Sequence, residues 1–249
     1  MPHSKNQILS RVSLVDFEDL RPHLRLVELE HGMVLAQSRQ RLHQVYFPHS
    51  GIISCVVELE NGSAIESGMI GNDGVFGASQ ALDGKLSLNK VMVQVPGQGT
   101  VVDADHLKAV ALSSPNFLKL LITHETFFLG QVQQTTACNA LHSVEQRMCK
   151  WLVRMYDLAG SELPLTQEFL AQMMGVRRTS VTGVASQLQK EGLISYRRGK
   201  VNILNMDLVQ KRACECPHVV RDHYAELFGS NKGVSSPSNF ARTNLDRKV

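Results

Sequence analysis

The chain has 249 residues and a mass of 27.6 kDa, room for two modest domains. Hydrophobic residues make up 43% and charged residues 20%, a globular composition that excludes a fibrous or wholly disordered chain. The formal net charge of +3 conceals a division: residues 1–143 hold 10 Lys and Arg against 13 Asp and Glu, whereas residues 144–249 hold 16 against 10. A polyanionic partner therefore belongs to the C-terminal part.

The five cysteines (Cys55, Cys138, Cys149, Cys214 and Cys216) are odd in number and irregular in spacing. The opening MPHSKNQILS lacks the charged-then-apolar pattern of a signal peptide, so a reducing cytoplasm is the expected location. The most apolar stretch, Phe117 to Val132, is interrupted by Lys119, His124 and Glu125 and falls short of the ~18 residues of a membrane span. No membrane partner is expected.

From Leu24 to Asp105 short runs rich in Val and Ile are punctuated by glycines, the rhythm of an all-β unit. Ile52 to Leu59 and Ala64 to Ile70 flank Asn61-Gly62, a pair suited to the positive φ angles of a tight hairpin turn, and predict two paired strands. Ser113-Ser114-Pro115 predicts a helix start, with a serine cap and proline at the first helical position. Nothing breaks that helix until about Leu141, which makes a rod of roughly 40 Å.

Leu118, Leu121, Phe128 and Val132 share one stripe of this helix, continued by Thr135. Two readings are open, a helix packed on the β unit of its own chain and a seam between two copies, and a helix of this length has room for both. A second helix is expected from about Ser143 through Trp151 to Leu158, stopped by Gly160. Beyond Gly229 the chain is rich in Ser, Asn, Arg and Gly and predicts a disordered tail. The expected divisions are a β unit over 1–112, a long helix over 113–142, a third unit over 143–228 and a tail over 229–249.

The strongest motif runs from Pro164 to Leu204. Thr166 is a helix cap, and Gln167-Glu168 places acidic character at the positive end of the helix dipole. Counting from Gln167, alanine at the fifth place (Ala171) lets two helices cross closely. Glycine at the ninth (Gly175) makes a tight turn, and Val181 and Val184, with Leu188, line the inner face of a second helix. This is the layout of a helix-turn-helix.

With those residues turned inward, Thr179, Thr182, Gly183 and Ser186 face outward, and Arg177 and Arg178 stand with Ser180 at the start of the second helix. Short or basic side chains of this kind suit entry into a major groove, where arginine binds guanine O6 and N7 and a threonine methyl meets a thymine methyl. Gly192 to Leu204 then predicts a strand, a basic turn and a second strand, with Arg197, Arg198 and Lys200 at the tip to grip phosphates. The whole is a winged-helix reader.

This order of parts resembles the Crp/Fnr family of bacterial transcription regulators, over about residues 20–205 and most specifically over Leu165 to Tyr196. The resemblance implies an α+β fold: an N-terminal antiparallel β-roll of the double-stranded jelly-roll type, a long dimerisation helix and a C-terminal winged helix-turn-helix. The family's base-reading arginine falls on Arg178. The glutamate beside it is replaced by Thr179, and a further base-contacting arginine of the cyclic-AMP branch by Gly183, so the operator sequence does not carry over.

The effector site departs further from the family. Cyclic-AMP-binding members use a Gly-Glu pair and a nearby Arg-Ser segment for the ribose and cyclic phosphate; here Gly77 is followed by Ala78, and Ser87-Leu88-Asn89 occupies the arginine region. Without that guanidinium a buried phosphate lacks its bidentate partner, and Lys85 and Lys90 are more simply surface lysines. Val132 and Gln133 replace the Thr-Ser pair that contacts the purine, so tight cyclic-AMP binding is not expected. An iron–sulfur cluster is not expected either, since no cysteine precedes Cys55.

Cys214-Glu215-Cys216-Pro217-His218, with His223 beyond, is the one dense soft-ligand group in the sequence. Cys-x-Cys lacks the usual two-residue spacer, so a reduced pair near the domain end is expected and no metal. His142 reads as a helix-junction residue and Trp151 as core. No Gly-x-Ser-x-Gly, phosphate loop or paired metal motif points to an enzyme.

The expected protein is a homodimeric regulator of double-stranded DNA with a degenerate sensory domain of unknown effector, and RNA polymerase as a further partner. Two other readings stay open. One is a cyclic-nucleotide-activated regulator; the other is a signalling module whose winged helix contacts protein.

Overall fold

The computed structural model describes residues 5–84 and 86–229. Lys85, and the tail expected beyond Gly229, lie outside the described residues.

After helix α1 (Leu14–Leu20) come strands β1 (Arg25–Leu29), β2 (Val34–Ala36), β3 (Gln44–Pro48), β4 (Ile52–Glu58) and β5 (Ala64–Ile70), helix α2 (Ala78–Asp83), and strands β6 (Lys90–Val95) and β7 (Gly97–Asp103). These strands form two antiparallel sheets, in the orders β1-β7-β3 and β2-β6-β4-β5. Leu29, Tyr46, Ile53, Val93 and Val101 fill the space between them. Along β3 alternate side chains part to opposite faces: Tyr46 enters the space between the sheets, while Val45 and Phe47 meet a second core built from helices. Both faces are covered, so the run is apolar throughout and does not alternate.

The expected hairpin is present, with Val57 opposite Ile65 and Glu58 opposite Ala64. Its connection is not the tight two-residue turn, because Gly62 has φ +80° and Asn61 is not among the positive-φ residues. The Leu59 N–H instead reaches the Ser63 carbonyl at 2.8 Å, and Asn61 Oδ1 accepts from the Ser63 N–H at 2.9 Å. The asparagine side chain closes a wider loop from within.

Helix α3 (Ala104–Ser113) leads into α4 (Pro115–Leu141), which starts and stops where the sequence predicts. The Ser114 hydroxyl accepts from the Phe117 N–H at 3.2 Å, and Pro115 occupies the first turn. Phe117 and Leu121 enter the helical core beside Leu107, Val45 and Phe47. Phe128 reaches the core between the sheets and lies so near Gly68 that an added Cβ would meet its ring at 2.9 Å.

This corrects the stripe proposed for a seam. Leu121 is fully buried in its own chain, and Phe128, half-buried, packs on the roll. Leu118, Val132 and Thr135 flank that covered side and are half-buried. The open side of α4 carries Ile122, Thr126, Leu129, Gln133, Thr136 and Ala140. Spacing alone could not say which face of the helix the roll takes.

Helix α5 (Val144–Ala159) follows after one break at His142. Ser143 and Gln146 close a capping box at its start, and Gly160, at φ +84°, follows its end. The C-terminal unit continues through β8 (Glu162–Leu163), α6 (Gln167–Met174), α7 (Arg178–Lys190), β9 (Ile194–Arg197), β10 (Lys200–Ile203), α8 (Met206–Arg212) and α9 (Cys216–Phe228). Its core of Met148, Leu152, Leu170, Val181 and Leu188 is continuous with Ile52, Val56, Ala64 and Met69 of the roll. Helix α9 turns back along α4 and sets Tyr224 and Phe228 edge-to-face with Phe127. Tyr224 also donates to Gln7 at 2.6 Å, and Arg11 donates to the Phe228 carbonyl at 2.9 Å, so α9 is fastened to the segment that precedes α1.

Candidate nucleic-acid interface

The Thr166 hydroxyl accepts from the Phe169 N–H at 3.1 Å and starts α6. Gly175, at φ +60°, ends it: its N–H bonds the Gln172 carbonyl and the Val176 N–H bonds that of Ala171. This paired closure needs a left-handed residue, for which glycine carries no steric cost. Ala171 is buried where α6 and α7 cross.

On α7, Val181, Ala185 and Leu188 are buried and Val184 is half-buried. Ala185 belongs to the inner face but was absent from the expected set, since a small residue gives no apolar signal of its own. Thr179, Thr182, Gly183 and Ser186 are exposed, as are Arg177 and Arg178; Ser180 is half-buried. Arg177 supplies no side-chain cap, so the first-turn amides of α7 lie at an end with basic side chains.

Gln167 is half-buried because it is engaged: Thr182 Oγ1 lies 2.7 Å from its Oε1 and 3.0 Å from the Arg178 carbonyl. This contact ties the start of α6 to the outward face of α7. Glu168 comes within 3.7 Å of Arg178, with both side chains exposed. An exposed pair at that distance is a weak restraint, leaving the guanidinium available to another acceptor.

The wing is a two-residue hairpin. Arg198 at φ +50° and Gly199 at φ +75° form the turn, and Arg197 pairs with Lys200 across it. Arg197, Arg198 and Lys200 are all exposed. The wing rests on the start of α6, where an added Cβ on Gly199 would lie 3.3 Å from the Thr166 methyl. Tyr196 donates its hydroxyl hydrogen to the Leu165 carbonyl at 2.9 Å. The wing tip and the Thr166 end of α6 are thus neighbours, and α7 joins them through the Thr182–Gln167 contact.

Sequence reasoning missed how this unit is held against the roll. Arg147 of α5 donates to the Met174 carbonyl and fixes the end of α6 within the unit, where a Cβ on Gly175 would meet Ile65 of β5 in the roll at 2.8 Å. Arg154 of α5 pairs with Asp73 at 2.7 Å, and both are largely buried. Trp151 is core, as expected, yet its indole N–H also donates to buried Glu66 at 2.8 Å. A tryptophan in an apolar run carries no sequence signal for that partner.

In the roll, Gly77 stands at φ +94° before α2, followed by buried Ala78. Ser87 is buried and donates its hydroxyl hydrogen to the Asn89 carbonyl at 2.7 Å. Lys90 pairs with Glu58 at 2.9 Å. Cys214 and Cys216 are free thiols and buried.

Residues 146–212 match the family model described as the Crp-like helix-turn-helix domain. A Crp/Fnr-family regulator from Eubacterium rectale superposes with a TM-score of 0.67 at 15% identity, over 86% of this chain and 99% of that one. FixK2 of Bradyrhizobium japonicum gives 0.66 at 13% identity, over 77% and 98%. A Crp/Fnr-family regulator of Thermus thermophilus gives 0.60 at 22% identity, over 76% and 98%. No curated protein sequence matches the chain.

The C-terminal unit is a helix-turn-helix domain similar to the Crp-like one, joined to an antiparallel β-roll by a long helix. The chain as a whole has the fold of the Crp/Fnr transcription regulators.

Proposed function

We propose that this chain is a DNA-binding transcription regulator that acts as a homodimer on a near-palindromic operator and carries a degenerate cyclic-nucleotide-type sensory roll. One observation carries the reading: the threonine and serine face of α7, the arginines at its start and the basic wing tip are all exposed around the Thr166 end of α6. In this reading Arg178 reads a base edge, Thr179, Thr182 and Ser186 line the groove, and Arg177, Arg197, Arg198 and Lys200 hold phosphates. Thr166, Gln167 and Ser180 sit where the backbone of the duplex passes.

Support for a dimer comes from the open side of α4. Ile122, Thr126, Leu129, Gln133, Thr136 and Ala140 alternate spacings of three and four, the repeat that keeps a seam facing a second helix. Support for a degenerate effector site comes from Ala78, from the buried Ser87 hydroxyl held by Asn89, and from Lys90 engaged with Glu58. RNA polymerase is the further partner in this reading, and the cytoplasm its location.

Two-fold symmetry places the half-sites about one helical turn, ~34 Å, apart. The test is selection of genomic fragments by the purified protein at two salt concentrations, then insertion of half a turn between the half-sites of the recovered motif. Recovery of a symmetric motif and a large loss of affinity on insertion are expected; equal affinity for both spacings overturns the dimer. Absence of salt-dependent duplex binding would favour a winged helix that contacts protein, and affinity that rises with added cyclic nucleotide would favour an intact effector site.

A further inference from the structure

Among the described residues, Cys138, His142, Cys214 and Cys216 each bring one donor atom to within 4.8 Å of the others. Cys138 lies in the last turn of α4 and His142 is the residue that ends it, one helical turn apart. Cys214 lies in the link between α8 and α9 and Cys216 is the first residue of α9, which the chain returns to the same place. Cys138 Sγ and Cys214 Sγ are 3.6 Å apart, and Cys216 Sγ is 3.6 Å from His142 Nδ1. The three thiols are buried, and the His142 side chain is 17% exposed.

The two separations of 3.6 Å match a tetrahedral site, and the others lie within 4.8 Å. Metal–sulfur bonds of about 2.3 Å set neighbouring sulfurs roughly 3.8 Å apart around a common centre. The surroundings are oriented for it as well. His142 Nε2 lies 3.3 Å from the Glu215 carboxylate, which holds the ring proton on Nε2 and turns the Nδ1 lone pair toward the thiols. The Gln134 amide N–H₂ is 3.2 Å from Cys216 Sγ, a donor for a thiolate.

We propose that Cys138, His142, Cys214 and Cys216 form a mononuclear Cys₃His site for zinc. Three soft sulfurs and one imidazole suit zinc over magnesium or calcium, which take oxygen ligands. As the metal–sulfur bonds form, each thiol releases its proton to solvent and the ion sheds water. Four protein ligands leave no open position, so the site is structural, with no catalytic role. A cluster of several irons and sulfides would hold the thiolates farther apart than these atoms stand. A disulfide between Cys138 and Cys214 would leave Cys216, His142 and the Glu215 contact without a purpose.

The consequence follows from the position. His142 is the break between α4 and α5, so zinc bound there pins the joint between the long helix and the C-terminal unit to the start of α9. This inference stands apart from the DNA-binding reading and its test needs no DNA.

The full chain, purified reduced, is measured for metal by mass spectrometry and then titrated with zinc or cobalt(II). One zinc per chain is expected, and cobalt gives the intense visible bands of a tetrahedral thiolate site. Cys214→Ser and His142→Ala each weaken binding at least tenfold. A second measurement needs only the wild-type chain: bound zinc slows alkylation of Cys138, Cys214 and Cys216 and leaves the rates at Cys55 and Cys149 unchanged. Failure to take up zinc at micromolar concentration, alkylation rates indifferent to zinc, or iron with acid-labile sulfide at these residues would each overturn the site.

Discussion

The indole N–H of Trp151 donates to Glu66 Oε1 at 2.8 Å, joining α5 to strand β5 across the boundary between the C-terminal unit and the roll. The other Glu66 oxygen lies 2.5 Å from Ser54 Oγ, which also contacts Gln94 Oε1. One hydroxyl hydrogen cannot serve both acceptors. Ser54 donates that hydrogen to Glu66. Burial pushes the carboxyl up to about 7, against the hydrogen bonds from Ser54 and Trp151 and the charges of Lys150 and Arg154.

Stability should therefore depend on pH through this group. Its value in the folded chain lies above the ordinary 4.5, so the unfolded chain releases the proton first. The contribution is fully present below about 4.5 and is lost as pH rises through about 7, by up to about 3 kcal/mol. Chemical denaturation across that range should show the decline, and Glu66→Gln should flatten it. A slope unchanged in Glu66→Gln would assign the dependence to other groups.

The proposed DNA interface separates two kinds of contact. Arg178→Ala should cost about 1–3 kcal/mol on the preferred duplex and relax preference at one base pair, because a base-edge contact is lost. Lys200→Ala should weaken all duplexes about equally and lower the salt dependence, because a phosphate contact is lost. Affinity measured on a panel of single-base variants distinguishes them; unchanged preference in Arg178→Ala would move base reading to another residue.

The two sides of α4 should respond in opposite ways. Ile122 and Leu129 are exposed, so Ile122→Glu with Leu129→Glu should leave the fold intact and convert the proposed dimer to a monomer by sedimentation. Leu121 is fully buried, and Leu121→Asp should cost more than about 3 kcal/mol by placing a carboxylate in the core. A dimer that survives the double substitution would place the seam elsewhere.

Gly175 meets two demands at once, and they can be separated. Gly175→Ala should cost about 1–3 kcal/mol, from a left-handed backbone and from a Cβ 2.8 Å from Ile65 Cδ1. Adding Ile65→Ala should recover the part due to the contact and leave the backbone part. Thermal melts of the two single variants and the double one measure the coupling; strict additivity would mean that the Ile65 side chain yields without cost.

Local devices were legible in the sequence because they act within one turn of chain. Ser114 and Pro115 at the start of α4, Ser143 and Gly160 at the two ends of α5, and Thr166 and Gly175 at the two ends of α6 each reveal themselves in adjacent residues. The alternation of buried and exposed residues on α7 is equally local. The hairpin shows the limit of such reading: its strands were set by their apolar runs, while the turn was decided by the Asn61 side chain reaching Ser63.

The sequence by itself determined the helix-turn-helix, the basic wing and the extent of the long helix, since caps, turns and period depend on neighbours a few residues apart. Only the tertiary structure decided which side of α4 the roll covers, what Glu66 pairs with, and which residues surround Cys214. Those outcomes join positions 85 residues apart for Trp151 and Glu66 and 76 apart for Cys138 and Cys214. Burial across such separations depends on how all the elements pack together, and no local pattern in the chain records it.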